Sequence, residues 1–178
     1  MQREIYVPPM SPGDVQAPSK EIYALMGEDN IFKMLEDFYG ELAKASPALR
    51  SMFPTDEAMQ HASQKSAAFF VGLLGGPPLY HQRHGNPMMR ARHMPFPITE
   101  ATRDEWLACF DRVLSRAVER YQFPPQHLAG FRVFLTSFSM WMVNTRSPDA
   151  TATDATATDA TASDATASKA DDSGHAAT

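Results

Sequence analysis

Residues 88–98 read MMRARHMPFPI and bring together residue types that seldom share a surface loop. Arg90 and Arg92 bracket an alanine, His93 follows at once, and Pro95 and Pro97 end any helix there. The chain has six histidines, at 61, 81, 84, 93, 127 and 175, and none forms a paired spacing of the HExxH kind. A three-ligand zinc site is therefore unsupported. A lone histidine is ordinarily a surface residue or a satisfied core residue. It becomes a metal ligand where the other donors come from elsewhere, as in haem, whose porphyrin supplies four nitrogens and asks the protein for one strong ligand. A single histidine beside Met, Phe and Ile suits such a group, and Arg90 and Arg92 suit its propionates. The 11 methionines and 11 phenylalanines fit either reading, since both residue types fill a core and line a broad apolar cavity.

Four stretches have helical spacing. The first follows the candidate caps Asp29-Asn30 and carries Phe32, Leu35, Phe38/Tyr39 and Leu42. The second follows Pro54-Thr55, runs through Met59, Ala62, Ser66, Phe69/Phe70 and Leu73, and stops at Gly75-Gly76-Pro77-Pro78. The third follows Thr99 with Trp106, Cys109/Phe110, Val113/Leu114 and Ala117. The fourth opens at Pro124-Pro125 and carries Leu128, Phe131, Leu135, Phe138 and Met142, widened by Phe134 and Trp141. No strand pattern stands out, so the expected class is all-α. Some 24 residues, 75–98, separate the second and third helices, which is long for a connection in a small domain. Tyr80, Met88, Met89, His93 and Phe96 give it too much apolar character for disorder.

Six of the 21 acidic side chains and one of the 16 basic ones lie from residue 149 onward, so the first 148 residues carry 15 of each. A neutral body excludes a nucleic-acid binder by charge. The acidic end repeats DATAT or DATAS over 149–168. Period five matches neither helix nor strand, and without large apolar residues the segment cannot offset the entropy of ordering. Expected boundaries are a flexible arm at 1–20, a folded domain at 21–147 and a disordered tail at 148–178, either solubilising or partner-binding. One cysteine, Cys109, excludes an internal disulfide and fits a reducing compartment. The sequence shows neither a signal-peptide pattern nor a run of about 18 apolar residues, so a cytoplasmic protein with no membrane span is expected.

The stretch GGPPLYHQRHGNPMMRARHMPFPIT, followed by RDEWLACF, resembles the group II truncated haemoglobins. That family combines Gly-Gly-Pro, an aromatic, Gly-x-Pro and Arg-x-Arg-His-x-Pro-Phe, with a tryptophan thirteen residues after the histidine, here Trp106. The resemblance covers roughly 27–146 and implies a two-on-two globin fold with haem b. In it His93 resembles the proximal ligand and Trp106 the distal tryptophan. Phe38-Tyr39 resembles the Phe-Tyr pair whose hydroxyl faces the bound ligand, and Phe53 the aromatic that wedges the ring. Ala62 and Ser66 fall at the two distal positions of the second helix. In a register shifted by one, His61 would be distal instead. Phe69, Tyr80, Met89, Arg92 and Phe96 complete the residues expected to touch the cofactor. Phe53 departs from the tyrosine found in part of the family, so a network of three distal donors is not implied.

The implied function is reversible binding of O₂, and of NO, CO or peroxide, at a five-coordinate iron. Tyr39 and Trp106 would donate hydrogen bonds to the ligand, each contributing about 1.5–3 kcal/mol if the acceptor is charged. Slow release of that kind suits chemistry or sensing better than bulk transport. The small Ala62 and Ser66 leave room for NO dioxygenation or peroxidase-like turnover, which needs electrons. No GxGxxG fingerprint occurs, so a reductase would be a separate protein. A haem-free helical interaction module remains the alternative from another class.

Overall fold

Four long helices carry the core, each close to where apolar spacing places one. The structure is a computed structural model and describes residues 3–147; the expected acidic tail lies outside them. In chain order the helices are α1 (Ile22–Met26), α2 (Glu28–Leu42), α3 (Pro47–Arg50), α4 (Asp56–Leu73), α5 (Leu79–His84), α6 (Met89–His93), α7 (Glu100–Leu114), α8 (Ala117–Tyr121) and α9 (Pro125–Met142). The described residues contain no strand, and no helix among them is long and apolar enough to cross a membrane. Helix α2 packs on α4 and α7, and α7 packs on α9.

Three of the four long helices begin where their caps are written. Thr55 Oγ1 accepts the Ala58 N–H at 3.1 Å and opens α4. Thr99 and Thr102 cap α7 reciprocally. Pro125 occupies the first turn of α9. The first helix differs from expectation. Helix α2 starts at Glu28, so Asp29 and Asn30 lie inside it rather than capping it. Gly27, at φ 81°, is the cause: its N–H closes α1 on the Tyr23 carbonyl at 2.8 Å, and the next residue starts α2. Glu28 and Asp29 then place carboxylates in the first turn, where the helix dipole favours them. The third stripe also ends early. Helix α7 stops at Leu114, and Ala117 opens α8.

Aromatic rings fill the space between the long helices. Phe38 of α2 stacks on Phe110 of α7 with centroids 3.7 Å apart and planes 22° apart. Phe70, Phe131 and Phe134 are buried beside them. Burial of each such side chain contributes about 1.5–3 kcal/mol. At the far end of α2, Asp37 accepts the Tyr121 hydroxyl at 2.5 Å and the Arg120 guanidinium at 2.6 Å, joining α2 to α8. Part of the arm expected at 1–20 hydrogen-bonds to the body. The Tyr6 N–H donates to the Asn144 carbonyl at 2.9 Å, and Arg3 donates to the Met94 carbonyl at 2.5 Å.

The Gly75-Gly76 stop has a second role that the sequence does not announce. The chain at 20–23 lies directly on this turn, with the Tyr23 N–H donating to the Leu74 carbonyl at 3.1 Å. A Cβ at Gly75 would lie 1.9 Å from the Lys20 carbonyl oxygen, and Gly75 has φ +103°. A Cβ at Gly76 would lie 2.5 Å from the Tyr23 ring. Gly75→Ala therefore meets both backbone strain and a backbone clash. We expect it to lose about 2–6 kcal/mol in urea unfolding, since strain and overpacking each cost about 1–3 kcal/mol.

Candidate functional site

Helix α6 is five residues long, and His93 is its last residue. The His93 Nδ1 lies 2.6 Å from the Met89 carbonyl oxygen, one turn back. A carbonyl can only accept, so Nδ1 carries the hydrogen, and the lone pair of the neutral ring is on Nε2. Burial holds the imidazole below its usual pKa, against the opposing pull of the Met89 carbonyl. The ring is therefore neutral at pH 7 and able to ligate a metal.

His93 borders a cavity of about 550 Å³. Tyr39, Phe53, Ala62, Ser66 and Phe69 line it from α2, the 51–55 turn and α4. Tyr80, Met89, Arg92 and Phe96 line it from the long connection, and Trp106 from α7. All eleven residues singled out in the sequence thus face one space. His61 is exposed and does not border it. The wall is mostly apolar with a few polar groups, and its size is that of a cofactor site.

Tyr39, Ser66 and Trp106 supply polar groups to its wall. The Tyr39 hydroxyl and Ser66 Oγ lie 2.7 Å apart. Burial pushes the Tyr39 hydroxyl up to about 12, so it keeps its proton at neutral pH. When Ser66 donates to Tyr39, the phenol hydrogen is free for the cavity. The Trp106 indole N–H has no hydrogen-bond acceptor among the described residues, and an indole can only donate. Its ring is held edge-on against Phe38 at 5.5 Å and Phe110 at 4.8 Å. Phe53 packs edge-on against Tyr39 at 5.6 Å.

The two arginines part company. Arg92 borders the cavity, donates to the Pro87 carbonyl at 2.8 Å and lies 6.0 Å over the Tyr80 ring. Arg90 does not border it. It donates to the carbonyls of Trp141, of Val143 at 3.3 Å and of Tyr6 at 3.2 Å, and so ties α6 to the end of α9. The expectation that Arg90 faces a propionate is corrected on that ground. Lys65 borders the cavity and was not singled out from the sequence. Its signal was present: Ala58, Ala62, Lys65, Ser66 and Phe69 form one helical stripe. Phe138 and Met142, read from spacing as core of α9, are also cavity wall.

The residue that spacing missed altogether is Asn144, fully buried just past α9. Its Nδ2 donates to the His93 carbonyl at 3.1 Å. Its Oδ1 accepts the Ile98 N–H at 3.0 Å and Arg3 at 2.6 Å. One side chain thus clamps both ends of the His93–Ile98 turn. A polar residue beyond the last apolar stripe carries no periodic signal, so only the fold reveals it.

The chemistry of the donor set fits haem: one neutral imidazole, an apolar cleft, and three cations, Lys65, Arg92 and Arg103, in its lining. Among the described residues no three His, Cys, Asp or Glu side chains gather into a metal-holding group. Comparison with known proteins agrees. The sequence profile of the bacterial-like globins matches residues 21–144. Group 2 truncated hemoglobin YjbI of Bacillus subtilis is 42% identical over 87 residues, 49% of this chain and 64% of that one. The chain thus matches less than two thirds of the length of this curated relative. Among solved structures, the group II truncated hemoglobin from Bacillus anthracis is 32% identical, with a TM-score of 0.59 over 72% of this chain and 93% of that one. The truncated oxygen-avid haemoglobin from Bacillus subtilis is 35% identical, with a TM-score of 0.57 over 68% and 98%.

Removal of the Asn144 clamp tests its role. We expect Asn144→Ala to lose about 1–3 kcal/mol for each buried partner it orphans. Asn144→Asp keeps the acceptor for Arg3 and Ile98 but sets a carboxylate oxygen against the His93 carbonyl in place of the donor. Equilibrium unfolding in urea should rank wild type above both variants.

Proposed function

The chain belongs to the bacterial-like globin family, among the group II truncated haemoglobins, and on that premise we propose that it binds haem b through His93 and holds O₂ reversibly on the opposite side. The family is one of haem-based ligand binding. The observation that carries the finer reading is the tautomer of His93: Nδ1 is committed to Met89, which leaves Nε2 as the one basic nitrogen available to the cavity. Haem, when bound, supplies an iron that takes a diatomic ligand.

The rest is the work of this chain's own side chains. The Met89 carbonyl and the Asn144 clamp orient the imidazole. Phe69, Tyr80 and Met89 would hold the group and keep water from it, and Lys65 and Arg92 would suit its carboxylates. Trp106 and Tyr39 point the ligand-binding chemistry toward groups that accept hydrogen bonds, since a partly negative diatomic accepts and CO accepts poorly. Two donors favour slow O₂ release over bulk transport. The buried single cysteine and the absence of a long apolar helix among the described residues suit a cytoplasmic setting.

A second reading is favoured by the Ala62 and Ser66 positions. Both are small and both face the cavity, so NO or peroxide can enter beside the donors. NO dioxygenation or peroxidase-like turnover would then draw electrons from a separate reductase.

The test of the first reading is spectroscopic. His93→Ala should lose the Soret band and axial-ligand signature of the purified protein; retention of both would overturn the assignment. Trp106→Phe should speed O₂ dissociation by about 10–150-fold in stopped flow, the equivalent of a charged hydrogen bond of about 1.5–3 kcal/mol. For the second reading, peroxide turnover should exceed that of free haemin at equal concentration.

A further inference from the structure

The charges of the body are balanced in number but not in place. Residues 58–99 contain no Asp or Glu, yet they hold Lys65, Arg83, Arg90 and Arg92 with four of the six histidines. The rest of the first 148 residues therefore carries 15 acidic side chains against 11 basic ones. The cations of this segment are uncompensated. The ion pairs among the described residues lie elsewhere, and none uses Lys65, Arg83 or Arg92.

Two of these cations, Lys65 and Arg92, lie at one border of the cavity, which Tyr80 also lines. The His84 ring lies 5.1 Å from the Tyr80 ring, and Arg92 sits 6.0 Å over it, so the two flank the same aromatic. Partial desolvation lowers the His84 pKa, and the fields of Lys65, His61, Arg83 and Arg92 lower it further, as expected if all five share one neighbourhood. His81, Arg83 and Arg92 are exposed. Met88, between His84 and Arg92 in the chain, is 59% exposed and sits at φ 40°, an unusual conformation for a side chain left in water.

Lys65, Arg83 and Arg92, none of them in an ion pair among the described residues, present a cationic surface that suits an acidic partner. We propose that this border of the cavity docks an acidic electron-carrier protein. The inference rests on the haem reading above and adds to it the carrier's docking site and chemistry. In that role the carrier loses one electron, the cavity's redox group gains it, and no atom changes hands. Charge complementarity of this kind raises the association rate by 10–10³ and fades with salt. Nucleic acid is disfavoured because the body as a whole carries no net charge.

The test uses the full chain loaded with haem in the ferric state and a plant-type [2Fe–2S] ferredoxin as the acidic probe, titrated calorimetrically at low salt. Arg83→Glu, which leaves the cavity wall untouched, should weaken binding at least tenfold. Lys33→Glu, the same kind of charge reversal on exposed α2 surface, should change it less than twofold. The difference should vanish near 1 M salt, where screening reaches about 3 Å. No binding at low salt, equal losses in both variants, or tighter binding of a single-stranded oligonucleotide than of ferredoxin would overturn the proposal. The Soret band of each variant reports the cavity independently, so a failure of the haem reading shows as lost haem and a failure of docking as unchanged affinity with haem in place.

Discussion

A helix of five residues cannot hold itself in water, because its nucleus fixes more dihedrals than its few hydrogen bonds repay. Yet α6 must present one nitrogen of one imidazole in one direction. The structure solves this from outside the helix. Arg90 reaches from α6 to the carbonyls at the end of α9, and Asn144 reaches back from beyond α9 to the carbonyl of His93. Arg3 then crosses from the chain's beginning to the same asparagine and to Met94. Segments far apart in sequence converge on one turn, which makes the orientation of His93 a property of the whole fold and not of its local sequence.

The opposite wall faces a different constraint. Buried polar groups must be paired or they cost stability. Tyr39 and Ser66 satisfy each other at 2.7 Å, and that pair is stable whether or not a ligand is near. Trp106 has no such partner among the described residues. Its indole is fixed by ring contacts with Phe38 and Phe110, which are themselves stacked at the centre of the core. The core thus positions a half-buried donor at the cavity, where water or a bound acceptor can satisfy it, and this is the form that preorganised recognition of a hydrogen-bond acceptor takes.

Much of this was legible in the chain because it obeys short periods or capping rules. Thr55, Thr99 and Pro125 mark three helix starts, and the spacing of Tyr39, Ala62, Ser66 and Trp106 places them on faces that meet. What stayed hidden depends on tertiary approach. The start of α2 is set by the backbone of Gly27 and not by the better caps after it. Gly75 and Gly76 read as a stop signal, whereas their lack of side chains also admits the chain at Lys20–Tyr23. Arg90 and Arg92 are two residues apart and look equivalent, but on a helix that offset turns them to different sides. Asn144 carries no pattern at all.

The cavity finally bears on stability as well as on chemistry. At about 24 cal/mol per Å³, a closed apolar void of 550 Å³ would cost on the order of 13 kcal/mol, comparable with the whole stability of an ordinary domain. Water at the open side lowers that figure but leaves apolar walls such as Phe69, Phe138 and Met142 poorly solvated. A flat apolar group between α4, α6 and α7 would restore their contacts and count as core. Cofactor binding and folding are then linked by mass action, since anything that binds only the folded chain stabilises it. The Met- and Phe-rich composition follows from the same requirement, because one set of side chains must both pack against itself and wrap a group that the chain does not encode.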